Sequence, residues 1–337
     1  MKVCIIKLGA DGDVLRTLPI AQALYKEKKV EIIWITKGDV GTLLEGLAYI
    51  QRVVQLEDVS EIEDEEFDEI YNFDVEEEAL ELAEVLQAKK KYGFRDDSGY
   101  PAAYNAGGEY YLNTMFDDEL KKTNKKTYQE MMFDIAEIPY KKERCKLILN
   151  EEDKRYINSF LEKNQLSGKK IIGIHMGASS RWPSKAWHQE RVQEFIQLSK
   201  KKEFEVIVFG GPNEAEKHAL LIDHLKKEGL EVYRNDPQNT KRQFAALVSL
   251  CDVFVCNDSF SLHVASGLGI KTIALFFVTS PTEVETYEIG KKIISKKLSE
   301  FFPEKSDQYD EFLVKSISAE EVMLAVEEAL KVKHTKA

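Results

Sequence analysis

The 337-residue chain lacks any apolar run long enough to span a bilayer. It also lacks a signal-peptide pattern: Met1–Ile6 begins directly as a strand, and no small-residue cleavage site follows a hydrophobic core. Both absences predict a cytoplasmic protein. Cysteine is scarce and scattered, at Cys4, Cys145, Cys251 and Cys256. Cys251 and Cys256 flank a strand, but no second pair accompanies them, so buried reduced thiols are favoured over a metal site or a disulfide. Positive charge is in deficit. The net charge of −12 argues against general nucleic-acid binding. That deficit is uneven. Residues 1–150 hold 20 Lys and Arg against 31 Asp and Glu, net −11, whereas the remainder holds 27 against 28, net −1. The second half is therefore nearly neutral and can host an anion. The acidic run Glu57–Glu84 has the composition of a solvated face. Finally, Gly9–Gly12 has too few glycines, wrongly spaced, for a G-x-G-x-x-G dinucleotide fingerprint, which disfavours a nicotinamide oxidoreductase.

What is present is ample apolar content, 43%, in a chain of two-domain length. Buried strands are predicted at Lys2–Leu8, Glu31–Thr36, Arg52–Leu56 and Asp68–Phe73. A helix follows the first, over Val14–Tyr25, kinked at Pro19 or starting near it. Val40–Leu47 reads as a short helix. Alternating strands and helices indicate a parallel α/β sheet with right-handed crossovers. Lys89–Lys126 breaks the alternation and reads as a long loop, with Gly93, Gly99, Gly107 and Gly108 among Tyr100, Tyr104, Tyr110 and Tyr111. Its tyrosines suit either sugar stacking or a small core under the loop. Lys121, Lys122, Lys125 and Lys126 suit phosphates, a membrane surface or plain solvation. The alternation restarts after 141–153, with strands at Lys170–His175, Glu205–Phe209, Glu231–Tyr233, Val253–Cys256 and Thr272–Phe276. Glu320–Leu330 closes the chain as a helix. The domains are thus drawn at 1–148 and 149–318, with a terminal helix over 319–332.

Three stretches of the second half place glycine or polar residues just past a buried strand. They are His175–Trp187, Phe209–Glu214 and Val253–Gly269. In one parallel sheet they converge on a single edge, where α/β proteins bind ligands. Gly177, Ala178 and Ser179 are small enough for a phosphate to approach closely, and Lys185 supplies a point charge. Glu214, after a double glycine, can accept hydrogen bonds from ribose hydroxyls. Asn239 and Thr240 can line a base pocket. Asn257-Asp258-Ser259 begins a strand–turn–helix unit whose helix end favours an anion; an ordinary N-cap by Asp258 or Ser259 accounts for it equally well. In the first half, Asp13 sits at the end of the first strand. It can serve as a base towards a hydroxyl, or as the cap of the next helix. No Asp-x-Asp pair stands at a strand end, so no metal site is expected.

The ordered set Gly9–Pro19, His175–Trp187, Gly210–Glu214 and Asn257–Pro281 resembles glycosyltransferase family 9, the bacterial heptosyltransferases of lipopolysaccharide core synthesis. The resemblance implies an α/β GT-B fold, two Rossmann-like domains with parallel sheets facing across a cleft. The N-terminal domain would take the acceptor and the C-terminal domain the nucleotide sugar. The terminal helix would pack back on the first domain. By position, Asp13 resembles the family's general base and Lys185 the lysine that holds the donor diphosphate. Glu214 resembles the acid near the ribose. Asp258, Ser259 and His263 match the turn and histidine that contact donor sugar and phosphate. Ser179 and Asn239 complete the donor set. Phe260 stands where the family has glycine, and Phe277–Pro281 replaces the usual segment. The implied activity is an inverting, metal-independent transfer of a sugar, typically heptose from ADP-heptose, to a glycan or glycolipid acceptor of the cell envelope. It needs no cofactor beyond the donor, and it suits a peripheral position at the inner face of the cytoplasmic membrane. Two alternatives share the fold: a different nucleotide-sugar donor, and a nucleotide- or glycan-binding protein without turnover.

Overall fold

Each half of the chain builds a six-stranded sheet. The first holds β1 (Lys2–Ile6), β2 (Glu31–Thr36), β3 (Arg52–Gln55), β4 (Phe67–Asn72), β5 (Ala88–Asp97) and β6 (Tyr100–Ala103). The second holds β7 (Ile171–His175), β8 (Glu205–Phe209), β9 (Tyr233–Arg234), β10 (Val253–Asn257), β11 (Lys271–Phe276) and β12 (Gly290–Ile294). The computed structural model describes residues 1–175, 177–179 and 181–332. Its two compact units are Met1–Ile148 with Thr282–Glu285, and Leu149–Pro281 with Thr286 onward. No helix of the described residues is long and apolar enough to cross a membrane.

The sheet orders are β3-β2-β1-β4-β5-β6 and β12-β11-β10-β7-β8-β9. Counted from each unit's own first strand, both read 3-2-1-4-5-6, the doubly wound Rossmann order. All pairings are parallel except β5 with β6. Strands β1 and β10 lie in the middle of their sheets and are apolar on both faces, as covered parallel strands require. In the second unit the helices Gln189–Lys201, Ala215–Lys227 and Ala319–Lys331 pack their apolar stripes on one sheet face.

Four departures from the sequence expectation have physical causes. Residues 89–126 are not a long loop: they form most of β5, then β6 and the helices Ala106–Phe116 and Asp118–Thr123. The lysines of β5 obscure a strand that is held by pairing with β4. Three glycines of the stretch, Gly93, Gly107 and Gly108, permit close packing. A Cβ on Gly107 would come within 2.6 Å of the Asp134 backbone, so the helix Ala106–Phe116 sits tight on Tyr128–Ile135. Val40–Leu47 is only a 3₁₀ turn, Asp39–Leu43. The first helix runs unbroken over Asp11–Lys28 with buried Pro19 inside it. The terminal helix Ala319–Lys331 packs into the second unit. Val322, Met323 and Val326 lie on one face of it and complete that unit's core with Phe195 and Leu275. The segment Thr282–Glu285 groups with the first unit, where Glu283 accepts the Tyr128 N–H at 2.9 Å.

Gly93 tests the register of β5. Its φ is +93°, and a Cβ there would lie 1.8 Å from the Asn72 carbonyl oxygen. Gly99 also has positive φ, +87°, but open space around it. Gly93→Ala should therefore cost on the order of 3 kcal/mol or more by denaturant unfolding. Gly99→Ala should cost about 1 kcal/mol, from backbone strain alone. Equal losses would refute the β4–β5 register.

Candidate functional site

In each unit the winding of the chain reverses between two adjacent central strands. These are β1 and β4 in the first unit, β10 and β7 in the second. Successive loops there leave the sheet edge in opposite directions, which opens a crevice at the strands' C-terminal ends. The sequence-predicted residues collect at these two places.

In the first unit, Lys7 follows β1 and Asp74 closely follows β4; both are buried. Asp74 Oδ2 accepts from Lys7 Nζ at 3.1 Å and from the Leu8 and Gly9 N–H groups at 3.0 and 3.1 Å. Its Oδ1 accepts the Val75 N–H at 2.9 Å. Asp13 stands in the first turn of the helix Asp11–Lys28, with Oδ2 4.0 Å from Lys7 Nζ. Its Oδ1 receives Arg16 Nε at 2.9 Å. Burial would pull the Lys7 ammonium below the usual lysine value, but the Asp13 and Asp74 carboxylates hold it above. Asp13 is not a helix cap, because the capping position is Ala10 and carries no side-chain bond. The Arg16 guanidinium lies 3.6 Å from the centre of the Tyr128 ring. Thr17 Oγ1 donates to the Asp13 carbonyl at 2.7 Å. The Tyr128 hydroxyl is therefore the donor in its 2.9 Å bond with Thr17. Tyr111 packs edge-on against Tyr128, and burial pushes both phenols up. Residues from two helices and two strand ends thus fix one carboxylate between two cations.

In the second unit, Lys185 ends the 3₁₀ turn Pro183–Lys185 in the loop after β7. Its ammonium lies 3.6 Å from Asp258 Oδ2 and donates to the Asp258 carbonyl at 3.2 Å. Buried Asn257, the last residue of β10, donates its amide to the Gly177 and Lys185 carbonyls at 2.8 and 3.0 Å. One side chain thus ties two points of the β7 loop to β10. Ser259 occupies the N-cap of the helix Phe260–Gly267 without capping it. Its hydroxyl pairs with the Ser261 hydroxyl at 2.9 Å. Phe260 opens that helix with right-handed backbone and packs 5.9 Å from Phe244. His263 is buried on the same helix. Glu214 Oε2 accepts the Gly211 N–H at 2.9 Å, and a Cβ on Gly177 would meet the Glu214 carboxylate at about 3 Å. The absence of a side chain at Gly177 is what lets the β7 and β8 loops touch. Ser179 is exposed on the β7 loop, where its carbonyl accepts the Trp182 N–H at 3.0 Å. Asn239 donates its amide to the Tyr156 hydroxyl at 2.7 Å and to Gln243 Oε1 at 3.2 Å. Its Oδ1 accepts from the Asn235 amide at 3.3 Å, and Asn235 in turn bonds Gly210 of the β8 loop.

The structure therefore gathers Lys185, Asp258, Ser259, Glu214 and Gly177 at one edge and gives Asp13 its own setting. Lys7, Asp74, Arg16 and Tyr128 were not singled out by sequence reasoning, and Asn257 was named only as part of its turn, without the role of its side chain. Lys7 carried a usable signal, a cation at the end of a buried apolar strand. The other four depend on pairings across long stretches of chain.

Two histidines flank Glu214. A Cβ on Gly210 would meet the His218 ring, and one on Gly177 the His175 ring. Burial drives both imidazoles down to about 4, with His218 adding to the effect on His175. Folded values below the unfolded 6.5 mean that the unfolded chain takes up protons first as pH falls. The stability that these groups contribute is present above pH 6.5 and is lost on the way down to about 4. His218→Gln should flatten the decline of unfolding free energy across that window. An unchanged slope would show that His218 does not titrate in this way.

The family model described as glycosyltransferase family 9 (heptosyltransferase) matches residues 60–310, well over half of the chain. Lipooligosaccharide heptosyltransferase 2 of Campylobacter jejuni is 28% identical over 135 residues, 40% of this chain and 41% of that protein. The chain thus aligns with only about two fifths of that relative's length. Lipopolysaccharide core heptosyltransferase OpsX of Haemophilus influenzae is 21% identical over 305 residues, 87% of this chain and 84% of that protein. Among solved structures, E. coli ADP-heptose LPS heptosyltransferase II superposes with a TM-score of 0.76 at 18% identity, over 98% of each chain. That likeness is one of fold, the GT-B pair of Rossmann-like domains. With both sheets in the same doubly wound order and the family match extending from the first unit deep into the second, the chain belongs to glycosyltransferase family 9.

Proposed function

We propose that the protein transfers a heptose-type sugar from an ADP-linked donor to a glycan of the lipopolysaccharide core, with inversion at the anomeric carbon and no metal. The observation that carries this reading is the placement of Lys185. Its ammonium stands at the reversal point of the second sheet, beside the start of the helix Phe260–Gly267. A diphosphate received there meets the Lys185 cation and the positive end of that helix together. In this reading an acceptor hydroxyl oxygen attacks the anomeric carbon and forms the new glycosidic bond. The bond from that carbon to the diphosphate breaks, and its electron pair leaves on the phosphate oxygen. Lys185 and the helix end stabilise this charge as it develops. Asp13 takes the proton of the hydroxyl. Arg16 holds one of its oxygens and Lys7 lies beside the other, which orients the carboxylate for that transfer. Glu214, next to Gly177, is the partner for the ribose hydroxyls.

The membrane-bound location of such an acceptor fits a peripheral position at the inner membrane face. Family relatives named as heptosyltransferases support the sugar class. The ADP-heptose named in a solved structure of the same fold supports the donor.

Calorimetry with ADP-, UDP- and GDP-linked sugars tests the donor. ADP-linked sugars should bind; no binding by any of the three at millimolar concentration would overturn the reading. Asp13→Asn should lower kcat by at least about 100-fold and leave ADP affinity within about twofold. Parallel loss of affinity would make Asp13 structural. Lys185→Ala should weaken ADP binding by about 10- to 100-fold. Unchanged affinity would remove the lysine from the diphosphate.

A further inference from the structure

Lys185 can meet a diphosphate only as reproducibly as its backbone is held. Its four-carbon stem is flexible, and the loop around it is irregular apart from one 3₁₀ turn. On the sheet side, the Asn257 amide holds the Lys185 carbonyl. On the other side is Ser184, whose side chain is fully buried. The Ser184 hydroxyl donates to the Gln308 carbonyl at 2.7 Å and accepts the Asp310 N–H at 3.0 Å. Both of its hydrogen-bonding roles are thus directed at one short segment.

That segment is itself anchored. Ser306 Oγ donates to the Val278 carbonyl at 2.8 Å. Asp310 caps the helix Glu311–Val314 by accepting the Leu313 N–H at 2.7 Å. Beyond Lys185, the Trp187 indole donates to the Ile317 carbonyl at 3.0 Å, and the His188 N–H to the Val314 carbonyl at 3.2 Å. The lysine turn is therefore bracketed: Asn257 fixes it to the strand edge, and Ser184 fixes it to the 306–317 segment.

We propose that Ser184 is a positioning residue for Lys185, holding its turn so that the ammonium is aimed at the diphosphate of the donor. The proposal rests on the diphosphate reading of Lys185 given above. Removing the hydroxyl would break both ties from the buried Ser184 position to the half-exposed 308–310 segment, and the turn would be held less firmly on that side. The ammonium at its end would then sample more positions, and each diphosphate contact would cost more ordering.

Isothermal titration with ADP and with adenosine separates positioning from a general structural role. It would use the full-length protein, Ser184→Ala, Ser184→Cys, Lys185→Ala and the Ser184→Ala/Lys185→Ala double variant. Cysteine keeps the volume while weakening the hydrogen bonds, so it guards against a folding defect from the smaller side chain. Both Ser184 variants should lose about tenfold in ADP affinity and none for adenosine. In the Lys185→Ala background, Ser184→Ala should cost nothing further, because the group it positions is gone. Equal losses for ADP and adenosine, or additive losses in the double variant, would overturn the proposal and leave Ser184 a structural residue. Failure of the unaltered protein to bind ADP would overturn the donor assignment itself, and this proposal with it.

Discussion

The reversal of winding in each parallel sheet is the constraint from which the rest follows. Parallel strands need crossovers, and crossovers of one hand cover only one face until the chain starts again from the middle. Both units start in the middle, at β1 and at β7, and later resume beside the same strand with β4 and β10. At those two points the loops part, and backbone N–H groups and short polar side chains are left at a strand edge without a covering helix. Lys7, Asp13 and Asp74 occupy the first of these edges; Lys185, Asn257 and Asp258 occupy the second. A charged group can be half-buried at such a place because the strand ends supply partners from several directions.

The two edges solve the same electrostatic problem in similar ways. Each places a lysine ammonium beside carboxylate oxygens: Asp74 and Asp13 for Lys7, Asp258 for Lys185. A buried ammonium is tolerated only when such partners offset its lost hydration. Neutral imidazoles around Glu214 work in the opposite direction, since burial without a strong anionic contact drives their protons off. Phe260 is accommodated on simple grounds. It is the first residue of a helix, where ordinary right-handed backbone suffices, and its ring joins Phe244 and Phe209 in an aromatic group. A glycine at that position is not required by the conformation of this chain.

Much of the architecture was legible in residue order. Lys170–His175, Glu205–Phe209 and Val253–Cys256 announce themselves as short apolar runs rich in β-branched residues, and the turns after them carry Gly177, Glu214 and Asp258. What misled was composition without pairing. Lys89, Lys90 and Lys91 look like solvated chain, yet they alternate along a strand held by β4. Gly107 and Gly108 look like loop residues, yet Gly107 admits the helix Tyr128–Ile135 and Gly108 makes room for Ala103 of β6. The terminal helix shows its apolar face plainly in Val322, Met323 and Val326, but a face does not name the core that it will join.

The sequence by itself determined the parallel α/β class, the strands of both sheets other than β5, β6 and β12, and the strand-end position of Asp13, Lys185, Glu214 and Asp258. It could do so because local periodicity and turn chemistry act over a few residues. Only the tertiary structure decided that Asn257 would hold the Lys185 turn, that Asp74 would neutralise Lys7, that Tyr128 would lie over the Arg16 that holds Asp13, and that Asn239 would bond Tyr156. Each of those depends on residues tens of positions apart coming into contact. The strand order that brings them together is selected by burial of the whole sheet and is written in no single stretch of chain.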